Sequence, residues 1–245
     1  MAPALPSDGG AAVSLCPSTI PARCPSSAPS ASHSPPGPRD GSNRMCLLAV
    51  RRDAARLPAV TVQQYLSGRL LLAMPGMFDP RFERSVNVIC VHDENGALGI
   101  GIGQVREGVR FHDVLAELDL DPGVSPDVEV LHGGPVEPGR GFVLHSTDWG
   151  GTDTILVDPL CALSASMDVL RAITEGRGPS QWLLALGYAG WGAGQLEGEM
   201  RHHGWYAAAG HRPVLFETAS AARWMATWRA EGIDPALLST QTGRA

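Results

Sequence analysis

The chain has 245 residues, 44% hydrophobic and 18% charged, enough apolar material for one sizeable core or two small ones. Its 19 basic residues are all arginine, which excludes chemistry that needs a lysine amine: Schiff bases, pyridoxal phosphate anchoring and the lysine of a Walker phosphate loop. A net charge of −6 argues against a broad basic surface for nucleic-acid phosphates, and no run of 18 apolar residues offers a membrane-spanning helix.

Residues 1–44 hold nine of the 20 prolines and nine serines, with no aromatic residue. Such a segment cannot bury enough apolar surface to offset chain entropy. It reads as a disordered leader, or as an over-long gene model whose true start is Met45. It has neither the basic start nor the unbroken apolar stretch of a secretory signal. Residues 45–65 read as a transition with a short helix from Met45. The body spans 66–232 and a frayed tail spans 233–245.

Within the body, Arg69 to Met74 is a short apolar run stopped by Pro75, hence a buried strand. Ser85 to His92 is β-branched with partial alternation and reads as a second strand. The Asp93-Glu-Asn-Gly turn, whose Asn-Gly pair suits two positive φ angles, leads into a hairpin partner from Ala97 to Gly103. Gly99, Gly101 and Gly103 share one face, where a second backbone can pack close. Phe111 to Leu118 has helical spacing. Val128 to His132 is a strand running into a sharp Gly133-Gly134-Pro135 turn, and Gly141 to His145 and Thr154 to Val157 are further strands. Ser166 is placed to cap a helix over Met167 to Thr174. Gln181 to Tyr188 is a wholly apolar strand. Gly194 to His203 reads as a helix ended by Gly204, and Ala219 to Glu231 as a last helix with Trp224 and Trp228 one turn apart. Neighbouring strands with interspersed helices favour α+β over a doubly wound parallel sheet.

The five cysteines (16, 24, 46, 90 and 161) form no CxxC pair and read as reduced thiols of a cytoplasmic protein. Neither their spacing nor that of the histidines supports a metal site, and no cofactor is called for. Cys90 and His92 fall two apart on one strand and so share a face. A Cys–His dyad is outweighed there by the ordinary reading of Cys90 as a small buried hydrophobe. His92, His132 and His145 each close a strand and read as a shared polar pocket or as caps of local backbone groups. Gly187 to Glu197 is a strand running into a glycine-rich loop and then a helix. It offers an anion site at the helix start, but its spacing favours glycines that let Tyr188 and Trp191 pack on the sheet. No Gly-x-Ser-x-Gly elbow exists. Asp79 reads as capping a turn, with Arg81 and Arg84 paired at the surface.

Six blocks in fixed order carry a resemblance. They are Gly68-Arg-Leu-Leu-Leu-Ala-Met-Pro-Gly-Met-Phe-Asp-Pro-Arg-Phe-Glu-Arg-Ser-Val86; Val91-His92 with Asn95-Gly-Ala-Leu-Gly99; His132-Gly-Gly-Pro-Val136; Arg140-Gly-Phe-Val-Leu-His145; Ser166-Met-Asp-Val-Leu170; and Gly187-Tyr-Ala-Gly-Trp-Gly-Ala-Gly-Gln-Leu-Glu197. Over residues 66–232 the chain resembles the YqgE/AlgH family of bacterial proteins. The resemblance implies a single α+β domain with a bifurcated, mostly antiparallel sheet forming a pseudo-barrel and helices packed outside. The family has no established enzyme activity; one branch is named a transcriptional regulator by genetic association with alginate production, without a recognised DNA-binding motif. The chain departs from the family at Gly103-Gln104-Val105, where an asparagine usually precedes a basic residue and proline, and at His203, where an asparagine is usual.

The expected function is therefore that of a cytoplasmic, non-enzymatic regulatory or binding protein, acting through a protein or small-molecule partner and without direct DNA or membrane contact. The candidate binding surface comprises His92, His132, Gly133, Gly134, Pro135, Arg140, His145, Tyr188, Trp191, Gln195 and Glu197. The alternative is a small-molecule hydrolase or transferase using His92 and His145 as acid and base. Trp191→Ala is expected to cost about 3–5 kcal/mol, His145→Ala to leave the fold standing, and removal of residues 1–44 to leave the melt unchanged.

Overall fold

The computed structural model describes residues 65–77, 82–202 and 204–238. The leader, most of the transition segment, Asp79, Arg81 and His203 lie outside the described residues. The strands are β1 (Leu70–Ala73), β2 (Val86–Asp93), β3 (Gly96–Gly101), β4 (Val105–Arg110), β5 (Glu129–His132), β6 (Val136–His145), β7 (Ile155–Val157), β8 (Cys161–Ser164), β9 (Trp182–Gly192) and β10 (Trp205–Ala208). The helices are α1 (Phe111–Glu117), α2 (Met167–Thr174), α3 (Gln195–Arg201), α4 (Arg212–Phe216) and α5 (Arg223–Ala230). The fold is α+β, as expected. β4, β8, β10 and α4 are additions to the predicted elements, and the last predicted helix begins as a 3-10 turn at Ser220–Ala222.

Among the described residues the strands form one sheet, ordered β10-β1-β2-β3-β9-β6-β8-β7, with β5 and β4 branching from β9. The branch is the bifurcation. Ala189 to Gly192 pair antiparallel with β3, whereas Leu184 to Leu186 pair parallel with β5 on the same flank of β9. β6 runs along the other flank. The glycine-rich segment up to Gly192 is thus strand, not the predicted loop. Its glycines serve the fork: Gly187 has φ +77°, and a Cβ there would lie 2.4 Å from the Gly134 carbonyl oxygen. Gly133 and Gly101 approach the Gly187 and His132 carbonyls in the same way. The close backbone approach predicted for the hairpin glycines is met at Gly101; at Gly99 a Trp191 ring fills the space instead.

The sheet curls around an interior that takes one face of each strand. Leu70, Leu72, Val88, Ile100, Phe142, Leu144 and Ala185 point into it, and Trp224 and Trp228 of α5 pack against them. The opposite faces are also covered. Val130, Val143, Leu184 and Leu186 lie under α1 and α2. Leu71, Ile89, Ala189 and Trp191 lie under α3. Burial on both faces is why β1 and β9 read as continuous apolar runs.

Three local expectations are corrected. Only Gly96 of the Asn-Gly turn has a positive φ; the Asn95 N–H instead donates to Asp93 Oδ1. Ser166 occupies the cap position of α2, but its hydroxyl donates to Asp153 Oδ1 at 2.8 Å and does not cap the helix. Cys90 and His92 do not share a face. A bulge between Ile89 and Val91 adds a residue to β2, leaving Cys90 in the interior and turning His92 toward α3.

Candidate functional site

The expected surface residues fall into five places. His92, at the end of β2, is 6% exposed and has both ring nitrogens engaged. Nδ1 accepts the Leu66 N–H at 3.0 Å, so Nε2 carries the proton and donates to Glu197 Oε1 on α3 at 3.0 Å. His92 therefore ties the start of the described chain to α3.

His145, at the end of β6, is not at the surface: it is fully buried. Its Nδ1 donates to the Ser146 carbonyl at 2.8 Å, and Nε2 accepts from Ser164 Oγ at 3.1 Å. Ser164 in turn meets Thr154 Oγ1 at 2.8 Å, which accepts the Gly151 N–H. The relay is complete, and neither Ser164 nor His145 reaches solvent. Among the described residues His92 and His145 share no hydrogen-bond partner, so an acid/base pair made of them has no support in the geometry. The Cys90 thiol is held well above its ordinary pKa by burial, and Cys161 is pushed up to about 12 by the same cause, so neither is a ready nucleophile.

Burial lowers the His145 pKa below 6.5, against a smaller raising effect of the Ser146 carbonyl, Asp148 and Asp153. The folded state therefore resists a proton that the unfolded chain accepts. The stability contributed by neutral His145 is complete above pH 6.5 and declines as pH falls through the lowered folded-state value, with a slope of at most about 1.4 kcal/mol per pH unit. Asp148 acts in a separate window. Hydrogen bonds from Ser146 and Ser180 lower it to about 2, so its contribution is present above pH 3.8 and is lost as pH falls from there through about 2. Urea melts between pH 7.5 and 5 are expected to show a flatter profile for His145→Asn than for the natural chain. Parallel profiles would mean that this imidazole does not titrate differently in the two states.

Arg140 and Tyr188 meet at a third place through Glu137. Arg140 Nη1 donates to Glu137 Oε2 at 3.2 Å, and the Tyr188 hydroxyl donates to Oε1 at 3.4 Å. The guanidinium lies 5.2 Å from the centroid of the Phe142 ring. Burial and the Glu137 carboxylate push the Tyr188 phenol up.

The fourth place is concave. Pro135, Trp191 and Gln195 line a cleft of about 440 Å³ together with Met77, Phe82, Val136, Glu199 and Trp205. At its base the α3 residue Glu199 accepts three neutral donors. Oε2 takes the indole N–H groups of Trp191 at 3.0 Å and Trp205 at 2.8 Å, and Oε1 takes Gln195 Nε2 at 2.9 Å. The two indoles cross at 85° with centroids 5.9 Å apart. Gln195 is held by the Gly192 N–H, which donates to its Oε1 at 3.0 Å. Sequence reasoning reached Trp191 and Gln195 but missed Glu199 and Trp205. The available signal was the one-turn spacing of Gln195 and Glu199, which puts both on one helix face.

Beside the cleft, sharing Phe82 with it, a recess of about 20 Å³ is lined by His132, Gly133, Gly134, Gly103, Gln104, Ser85 and Asn87. It has room for roughly one water molecule. The buried Ser85 Oγ and Asn87 Nδ2 have no hydrogen-bond partner there. Gly103 leaves this wall without a side chain. Among the described residues no group of histidine, cysteine and acidic side chains is arranged to hold a metal.

A family model described as AlgH-like matches residues 70–236. A UPF0301 protein of Novosphingobium aromaticivorans is 64% identical over 182 residues, covering 74% of this chain and 98% of the relative. One from Rhizorhabdus wittichii is 56% identical over 180 residues, covering 74% and 97%. The solution structure of the AlgH protein from Pseudomonas aeruginosa is similar with a TM-score of 0.61 at 37% identity, over 75% of this chain and 97% of that one. A Corynebacterium diphtheriae protein, at 23% identity and a TM-score of 0.57 over 68% of this chain and 87% of that one, shares the fold. With the fork, the buried imidazoles and the Glu199 cleft in place, the agreement in sequence and fold means that this chain belongs to the AlgH-like family.

Proposed function

We propose that the protein is a non-enzymatic binding protein of the cytoplasm that recognises a small ligand in the Glu199 cleft, and that any effect on transcription runs through this ligand and not through contact with DNA. The cleft is the observation that carries the reading. Its volume of about 440 Å³ falls in the usual range for small-molecule sites, ~300–1,000 Å³. Its walls combine apolar side chains with a few fixed polar groups, the composition that gives affinity and orientation together. The groups that an enzyme would need elsewhere are committed. His145 is closed in its relay, His92 is bound at both nitrogens, and both described thiols are buried. Among the described residues four arginines pair singly with nearby acids, Arg110–Asp127, Arg140–Glu137, Arg171–Asp168 and Arg177–Glu175, and Arg106 and Arg223 are spent on backbone carbonyls, an arrangement that does not favour a phosphate-tracking stripe.

The test is native mass spectrometry on protein purified from its own host, alongside Val136→Trp. Val136 is 37% exposed and lines the cleft, so an indole there fills the space without entering the core. A small-molecule adduct on the natural chain that is lost from the variant is expected. A ligand-free natural chain, or an adduct that persists in Val136→Trp, overturns the proposal.

A further inference from the structure

The cleft selects by charge, and we infer that its ligand is an organic cation: an ammonium group carried on an apolar body. This inference rests on the cleft being the recognition site. Glu199 is the only acidic residue lining the cleft among the described residues, and none of the described lining residues is an arginine or lysine. The one basic side chain among the described lining residues is His202, whose Nδ1 is turned to the Gly198 carbonyl at 2.8 Å. The three groups that hold Glu199 are two indole N–H groups and one amide, all uncharged. They fix the carboxylate in place without neutralising it.

A half-buried carboxylate costs less free energy when a cation faces it than when it is left uncompensated. Its hydrogen-bonding capacity points the same way. A carboxylate oxygen has two lone pairs. Oε2 has filled both with Trp191 and Trp205, while Oε1 has used one on Gln195 and keeps one. An ammonium N–H fits that remaining position. Met77, Phe82, Val136 and Trp205 keep the surroundings apolar, which strengthens the attraction to a cation and suits a hydrocarbon body. An anion meets an uncompensated negative charge in the same place. A neutral alcohol fills the space and takes the hydrogen bond without the charge term.

The test compares three molecules of one skeleton, 2-phenylethylamine, 2-phenylethanol and phenylacetate, titrated against the full chain by calorimetry at low salt and pH 7. The expected result is amine binding at least tenfold tighter than alcohol, with phenylacetate weakest. Glu199→Gln is expected to bring amine and alcohol level, since the amide keeps an acceptor oxygen for the indoles and removes the charge. If that variant fails to fold, the ranking on the natural chain decides alone. Alcohol or phenylacetate matching the amine overturns the cation assignment. So does an absence of amine binding. In either case the cleft's role as a binding site is decided separately by the adduct on the natural chain and its loss in Val136→Trp.

Discussion

Gly187→Ala is expected to lower the unfolding free energy by about 3–5 kcal/mol, and Gly192→Ala, five residues along the same strand, by less than about 1 kcal/mol. Both are glycines of β9, so β-propensity alone predicts the same small gain for each. Their surroundings differ. Gly187 has φ +77°, where an L side chain is strained, and its added Cβ would fall 2.4 Å from the Gly134 carbonyl oxygen and 3.1 Å from that of Val136. Those neighbours are backbone of the β5–β6 turn and of the first residue of β6, and cannot swing away. Left-handed strain contributes about 1–3 kcal/mol and forced displacement a similar amount. At Gly192 the nearest atom to an added Cβ is the Gln195 side-chain oxygen at 3.9 Å. For a unit of this size, 1 kcal/mol shifts the midpoint by roughly 2–4 °C, so thermal melts separate the two variants clearly. Equal midpoints would show that the sheet does not fork at this contact.

The same contrast shows what was legible beforehand. The unbroken apolar runs of β1 and β9, the alternation of β2 and the helical spacing of α1 and α2 are local signals, and each marks its element. β4 obeys none: Val105–Arg110 has no fully buried residue, carries two arginines and a glutamate, and exists because β5 offers it a partner. β8 (Cys-Ala-Leu-Ser) and β10 (Trp-Tyr-Ala-Ala) are as short as β1 but lack its leucine run and show no alternation. The fork was hidden for another reason. A glycine run looks like a loop when read alone. It becomes a strand only once Gly133 and Gly134, about fifty residues away, need its missing side chains. The bifurcated sheet was available through family resemblance and not through periodicity.

The site was legible in part, for the same reason. Residue type marked Trp191, Gln195 and the histidines as chemically able. Their partners are set by tertiary contacts: Glu197 lies 105 residues from His92, and Ser164 lies 19 from His145. A one-residue bulge was enough to separate His92 from Cys90. The burial of His145 also reverses the expectation that its loss is harmless. His145→Ala leaves a cavity and removes the acceptor of the Ser164 hydroxyl, two named routes to destabilisation.

Trp191→Ala is the second large effect, about 3–5 kcal/mol. The ring is 7% exposed and crosses from the sheet to the floor of the cleft. Its six-membered edge packs over Gly99, whose added Cβ would lie 3.0 Å from Cζ3, and its N–H holds Glu199 at 3.0 Å. Gly99 has no side chain to move into the vacated volume, so the cavity cannot readily collapse, which places the cost toward the upper end. Trp191→Phe separates the two roles. It restores most of the apolar volume and removes only the indole N–H, leaving Trp205 and Gln195 to hold the carboxylate. A cost of about 1–2 kcal/mol is expected for it from the lost charged hydrogen bond and incomplete packing. Urea melts of the two variants measure the difference directly. If Trp191→Phe proves as costly as Trp191→Ala, the indole-to-carboxylate bond, and not the packing on Gly99, is what secures α3 to the sheet. The cleft would then owe its shape to Glu199 as well as its charge.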